Sequence, residues 1–194
     1  MYGDPEESRI PSGQDIAIDF AGGLRDYQTN IVETYLKHVT PNQYVGSGLL
    51  EIPCGRGKTV IGLNIISRLK KKTLIIVHKG FLLTQWIERI EEFLPGAKIG
   101  RIQGSTVDIE GKDIVIGMLQ SLSMKEYPAD TFASFGLVIV DECHHIGSEV
   151  FCRSLSRIVT RYGLGLSATM VRKDGLTPVF KMFLGEIVYS EERE

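Results

Sequence analysis

Cysteine is scarce in this chain. Its 194 residues hold three, Cys54, Cys143 and Cys152. An odd and sparse set does not make a disulfide framework and reads as reduced thiols. Long apolar runs are also missing. Leu74 to Val77 and Leu137 to Val140 are among the longest, whereas a bilayer span needs about 20 apolar residues. Positive charge is not in excess: 22 basic side chains stand against 24 acidic ones, a formal net charge of -2. That balance excludes a globally basic nucleic-acid binder and leaves room for a local basic groove. The first residues, MYGDPEESRIPSG, carry acidic and turn residues where a signal peptide carries basic and apolar ones. With 43% hydrophobic and 24% charged residues, the composition is that of a globular domain and excludes disorder. The expectation is one soluble, intracellular, monomeric domain with no membrane partner. Glycine, in contrast, is abundant at 21 residues, above the background of about 7%.

Residues 1–23 are acidic and punctuated by Gly, Pro and Ser, and are expected to form a tail or edge element. From residue 24 the pattern becomes regular. Leu24, Tyr27, Ile31, Tyr35 and Val39 recur at helical spacing, which predicts an amphipathic helix over Leu24 to Val39. Short apolar strands and helices then alternate. Strands are predicted at Leu49 to Pro53, Thr73 to His78, Lys98 to Ile102, Asp113 to Gly117, Leu137 to Asp141, Tyr162 to Ser167 and Glu186 to Tyr189. Helices are predicted at Lys58 to Leu69, Phe81 to Phe93, Glu149 to Val159 and Thr177 to Leu184. Continuous apolar strands alternating with helices imply an α/β fold, a mainly parallel sheet with helices on both faces. Trp86, beside Leu82, Leu83 and Ile90, reads as core. Lys70 to Lys72 reads as a solvated helix end, where basic residues suit the helix dipole.

The most specific segment is Ile52-Pro-Cys-Gly-Arg-Gly-Lys-Thr59, between a strand and a helix. This is the setting of a phosphate-binding loop. Gly55 and Gly57 let backbone N–H groups turn inward, and the next helix aims its positive end at the same place. Lys58 supplies a cation for β- and γ-phosphates, and Thr59 a hydroxyl for Mg²⁺. The usual first glycine of the motif is replaced by Ile52. A second segment, Leu137-Val-Ile-Val-Asp-Glu-Cys-His144, is an apolar strand ending in two carboxylates. Asp141 is placed to hold Mg²⁺ through its water shell, and Glu142 to orient or deprotonate a water. In open α/β sheets such residues gather at the carboxyl ends of strands. Cys143, His144 and His145 are consecutive, cannot easily converge on one ion, and are not assigned as a metal cluster.

With these residues in place the chain resembles the superfamily 2 helicases and translocases. Asp141-Glu-Cys-His144 resembles their DExH box and Ser167-Ala-Thr169 their motif III. Leu24-Arg-Asp-Tyr-Gln28 resembles the adenine-recognising Q-type motif. Val77-His-Lys-Gly80 with Gln85-Trp86 resembles motif Ia, and Gly117-Met-Leu-Gln-Ser121 the Ib region. The motifs fall in the family's order across about residues 24–190. The XPB-like branch, with related large-DNA-virus helicases and type III restriction-like translocases, fits best. That branch accepts an apolar residue before Pro53-Cys-Gly55. It also carries a stretch like Gly165-Leu-Ser-Ala-Thr-Met-Val-Arg-Lys-Asp174, although Lys173 replaces an acidic residue there.

The resemblance implies a RecA-like P-loop domain that binds ATP and Mg²⁺. Arg25, Gln28 and the loop Pro53, Cys54, Gly55, Arg56, Gly57, Lys58 and Thr59 would hold the nucleotide. Thr59 and Asp141 would hold the metal, and His144, Ser167 and Thr169 would couple nucleotide state to the nucleic acid. Lys79, Gly80, Arg101, Gly104, Gln120 and Ser121 are the candidate phosphate-backbone contacts, with DNA favoured over RNA. Motifs IV to VI are not found, so a second RecA-like domain carrying the arginine finger is expected elsewhere in the same polypeptide. The expected location is nucleus or cytoplasm, or for a viral protein the host cytoplasm or viral factory. Two other readings stay open: a P-loop small-molecule kinase, and a catalytically inert nucleic-acid-binding module of the same fold.

Overall fold

The fold is described from a computed structural model, over residues 12–41, 46–53, 55–168 and 183–191, leaving out the side chains of His145, Ser148 and Phe151. The elements follow in chain order: α1 (Asp26–Val39), β1 (Gly46–Glu51), α2 (Lys58–Leu69), β2 (Thr73–Val77), α3 (Gly80–Phe93), β3 (Ile99–Gln103) and β4 (Thr106–Val107). Then come β5 (Ile114–Met118), α4 (Leu119–Met124), β6 (Leu137–Val140), a 3₁₀ turn (Cys143–His145), α5 (Ser148–Leu155), β7 (Tyr162–Ser167) and β8 (Glu186–Ser190).

The strands form one sheet in the order β4-β3-β5-β2-β6-β7-β1-β8. Every pairing is parallel except the short β3–β4 hairpin. The expectation of a mainly parallel sheet is met. Successive residues of a strand point to opposite faces, and both faces are covered. Leu50, Ile75, Val77, Ile139 and Leu166 pack against α1, α2 and α3. Leu49, Leu74, Ile76, Val138 and Val140 pack against α4 and α5. Side chains of this size contribute about 1.5–3 kcal/mol each when buried. That is why the central strands read as unbroken apolar runs.

Several boundaries differ from the sequence reading for local reasons. The β3–β4 hairpin and the six-residue α4 were not anticipated. Helix α5 stops at Leu155, short of the predicted Val159, yet Ile158 is still buried, which explains why its spacing looked helical. The predicted helix Thr177 to Leu184 lies mostly outside the described residues. Residues 12–23, expected as a tail or edge element, lie against the domain. Ile16 and Ile18 are buried, Ala21 N donates to Phe93 O, and the Phe20 and Phe93 rings stack with centroids 5.5 Å apart. The reading of Lys72 as a solvated helix end is overturned. Lys72 is buried, donates to Ile109 O at 2.7 Å and lies 5.5 Å from the Phe135 ring centroid. From just before β2 its ammonium satisfies the Ile109 carbonyl between β4 and β5, and burial pushes its pKa below the ordinary lysine value.

Candidate active site

Because β1, β6, β2, β5 and β3 run parallel, their carboxyl ends share one edge of the sheet. The glycine loop follows β1, the Lys79 segment β2, the Gln120 segment β5 and the Asp141 segment β6, and Ser167 ends β7, whereas the Q-type segment enters from the start of α1. After β1 the chain passes through Ile52 and Pro53 to Gly55 and Gly57, both left-handed, with φ of +84° and +78°. Gly57 is the N-cap of α2 and offers no side-chain cap. The first N–H groups of α2 are therefore left to face a ligand. Gly57 is needed for a second reason: a Cβ there would collide with the Gln28 amide.

Gln28 is buried against this loop. Its Oε1 accepts from Arg25 N at 3.0 Å, and its Nε2 donates to Arg56 O at 3.3 Å. Tyr27 Oη donates to the same carbonyl at 3.1 Å, and the Arg56 guanidinium lies 4.4 Å from the Tyr27 ring centroid. Arg56 is also ion-paired with Glu191, just beyond β8. The Q-type segment thus braces the phosphate loop directly. Tyr27 and Glu191 were not anticipated. Tyr27 lay inside the quoted motif but had been assigned to the apolar helix face. Cys54 lies outside the described residues.

Lys58 Nζ is 2.9 Å from Asp141 Oδ1 and is also paired with Glu142. Burial disfavours the Lys58 ammonium, but the two carboxylates outweigh it, and its pKa lies above the ordinary lysine value. Asp141 is only 2% exposed, and its Oδ2 accepts from Trp86 Nε1 at 2.8 Å. Glu142 sits in the left-handed region at φ +52°. A non-glycine residue there costs of order 1 kcal/mol and is found preferentially where function demands it. Its other carboxylate oxygen is 3.4 Å from His144 Nε2, and His144 Nδ1 is 2.8 Å from Ser167 Oγ. Ser167 O in turn accepts from Ile52 N at 2.8 Å. A continuous polar path therefore runs from Lys58 through Glu142, His144 and Ser167 back to the entrance of the phosphate loop. Thr169 lies outside the described residues. Cys143 is buried, and desolvation pushes its thiol up to about 12, so it is no thiolate at neutral pH.

The candidate nucleic-acid residues lie mostly along the same edge. Lys79 and Gly80 follow β2 and are exposed. Gln120, in α4, donates from Nε2 to His78 O at 2.8 Å. Ser121 accepts from Gly104 N, after β3, at 2.9 Å, and Lys125 donates to Gly104 O. Five of the six predicted residues thus sit in three adjoining segments tied together by hydrogen bonds. Arg101 is apart from them. It is exposed in mid-strand on β3, in a groove of α3 residues Ile87 and Glu91.

The family profile of the type III restriction enzyme, res subunit, matches residues 22–172. The chain belongs to this family. Among curated relatives, a putative ATP-dependent RNA helicase of Acanthamoeba polyphaga mimivirus is 34% identical over 175 residues, covering 90% of this chain and 33% of its own length. A DNA 3'-5' translocase of Sulfurisphaera tokodaii is 34% identical over 171 residues, covering 88% of this chain and 36% of the relative. The chain thus spans about a third of the length of these relatives. Of solved structures, the Sulfolobus solfataricus SWI2/SNF2 ATPase core in complex with dsDNA superposes with a TM-score of 0.71 at 18% identity, covering 90% of this chain and 38% of that one. The UvsW helicase of bacteriophage T4 gives 0.67 at 23% identity, covering 93% and 65%. The fold is that of a superfamily 2 helicase RecA-like domain, and ATP use comes with this helicase family. No helix among the described residues is long and apolar enough to cross a membrane.

Proposed function

We propose that this chain is the first, nucleotide-binding RecA-like domain of a protein that couples ATP hydrolysis to movement along nucleic acid. The observation that carries the reading is the convergence of Lys58, Asp141 and Glu142 at the carboxyl edge of the sheet. The donor set suits a Mg²⁺–nucleotide: a cation, a hydroxyl, a buried carboxylate and the start of α2, which its N-cap Gly57 leaves without a side-chain cap. Lys58 and the loop from Pro53 to Thr59 hold phosphates, Arg25 and Gln28 bind the adenine side, and Thr59 and Asp141 hold the metal. When bound, Mg²⁺ supplies charge for the developing phosphate oxygens. Glu142 accepts a proton from, or orients, the attacking water. For that role its carboxylate must leave Lys58, which transfers to the phosphates. His144, Ser167 and Thr169 sense the change.

Lys79, Gly80, Gln120, Ser121 and Gly104 contact the phosphodiester backbone, with Arg101 at the flank, which gives little sequence readout. The DNA translocase supports a DNA track and the equally identical putative RNA helicase an RNA track, and the test below separates the two. The whole protein supplies a second RecA-like domain with an arginine finger, a group worth about 10³ to 10⁵ in rate in related phosphoryl transfer. The 194-residue chain is expected to be monomeric, soluble and intracellular, and to hydrolyse ATP very slowly. The test is ATPase turnover of the full-length protein with single-stranded DNA, duplex DNA and RNA in turn, beside the 194-residue chain. Stimulation by nucleic acid only in the full-length protein is expected. Full multiple-turnover activity in the 194-residue chain would refute the need for a second domain.

A further inference from the structure

Trp86 is the one tryptophan of the chain, and its helical neighbours alone would make it ordinary core. It is 1% exposed, but it is not only packing. Its indole N–H donates to Asp141 Oδ2 at 2.8 Å, and Asp141 is itself buried. Asp141 therefore has its two oxygens divided: Oδ2 faces the indole and Oδ1 faces Lys58. The ring is also wedged against the phosphate-loop helix. A Cβ placed on Gly62 of α2 would lie 3.2 Å from Trp86 Cη2 and 3.5 Å from Leu166 Cδ1 of β7. Glycine at position 62 lets the indole reach the carboxylate.

Trp86 belongs to α3, whose first residues, Gly80 and Phe81, are exposed. Phe81 is 60% exposed, unusual for a side chain of its kind. Six residues of helix, about 9 Å of rise, separate Gly80 on the outer ridge from the indole on Asp141.

We propose that Trp86 is a positioning residue: its N–H holds Asp141 in the rotamer that presents Oδ1 to the metal, and it ties that rotamer to the seating of α3. This rests on the reading of Asp141 as the metal-holding carboxylate. A buried carboxylate with one hydrogen-bonded oxygen has a single accessible orientation, whereas one without it must choose among several. Displacement of α3 at its exposed end is transmitted to Asp141 because the indole is clamped between Gly62 and the carboxylate.

The single indole makes the test direct. In ¹⁵N-labelled chain, the one indole N–H cross-peak is recorded for wild type and for Asp141→Asn, then with Mg²⁺ and a non-hydrolysable ATP analogue, and again after EDTA. The expected result is a peak that moves upfield in Asp141→Asn, shifts when Mg²⁺ and analogue are added together, and returns with EDTA. Trp86→Phe should raise the Mg²⁺ concentration needed for half-saturation by about tenfold, the range for groups that orient metal ligands, while nucleotide affinity in EDTA stays unchanged. A purely structural tryptophan would weaken both affinities together. Should Trp86→Phe fold poorly, Gly62→Ala, which presses on the ring, should displace the same cross-peak and raise the same Mg²⁺ requirement. A cross-peak indifferent to Asp141→Asn overturns the assignment. So does wild-type calorimetry showing normal Mg²⁺–analogue binding with a silent indole, and that result leaves the phosphate-site reading intact. Wild-type chain that binds no Mg²⁺–analogue overturns both.

Discussion

Lys58 Nζ lies 2.9 Å from Asp141 Oδ1, across two strand-to-helix turns that are 83 positions apart in the chain. The same amine is paired with Glu142, so one cation is shared by two carboxylates at a largely buried edge. Replacing it leaves those carboxylates without their counter-charge, and breaking such a pair costs about 3 kcal/mol. Lys58→Met should lose nucleotide binding and, at pH 7, about 3 kcal/mol of unfolding free energy, read from its urea transition. The sign with pH follows from the raised Lys58 pKa. The stabilisation is fully present below the unfolded value of 10.5 and is lost as pH rises through the higher folded value. The gap between wild type and variant should therefore be constant from pH 7 to 9 and shrink only above about 10.5. A gap that closes between pH 7 and 9 would contradict the pairing.

Gly57 carries two independent constraints, a left-handed φ and the approach of Gln28. Gly57→Ala should cost about 1–2 kcal/mol from the backbone alone, plus the displacement of Gln28. In a Gln28→Ala background the steric part disappears and only the backbone cost remains. Urea unfolding of the four proteins in this cycle measures the difference, and strict additivity would show that the two side chains do not meet.

Glu142→Gln in the full-length protein should bind ATP as well as wild type and turn it over about 10² to 10⁴ times more slowly. Equilibrium nucleotide binding and steady-state ATPase rates separate the two effects. Normal turnover would remove Glu142 from the role of base.

Lys79 and Gln120 lie in adjoining segments of the outer ridge but differ in charge. Lys79→Ala should lower the slope of log affinity against log salt by about 0.9 for duplex DNA. Gln120→Ala should weaken binding without changing the slope. Fluorescence anisotropy with a labelled oligonucleotide over a salt series reads both. An unchanged slope in Lys79→Ala would take that residue off the phosphate backbone.

Much of the fold was legible because the physics that makes it is local. Residues 74–77 and 137–140 are buried on both faces, so their sequences had no room for polar alternation. Helix α2 was bounded correctly because Gly57 and Lys70, both left-handed, bracket its apolar stripe. Helix α4 was missed because six residues that leave β5 without a turn residue make fewer than two helical turns, too few for a recurring apolar spacing. Lys72 was misread because a lysine's charge is visible in sequence, whereas the Ile109 carbonyl that receives it is 37 residues away. The two acidic and phosphate-loop motifs were recognisable as strings. The Trp86–Asp141 bond was not, since periodicity records which way a side chain points and not what its polar atom meets.

The strand order has one more consequence. Strand β7 lies between β1 and β6, so the phosphate loop and Asp141 hang from strands two spacings apart, about 9–10 Å. Were those strands adjacent, the loop would rest directly on the carboxylates. The intervening strand opens a slot of fixed width that the long lysine side chain now bridges. Whatever enters that slot must fit between walls whose separation belongs to the sheet, so the domain gauges the size of its guest with backbone hydrogen bonds, before any side chain is consulted.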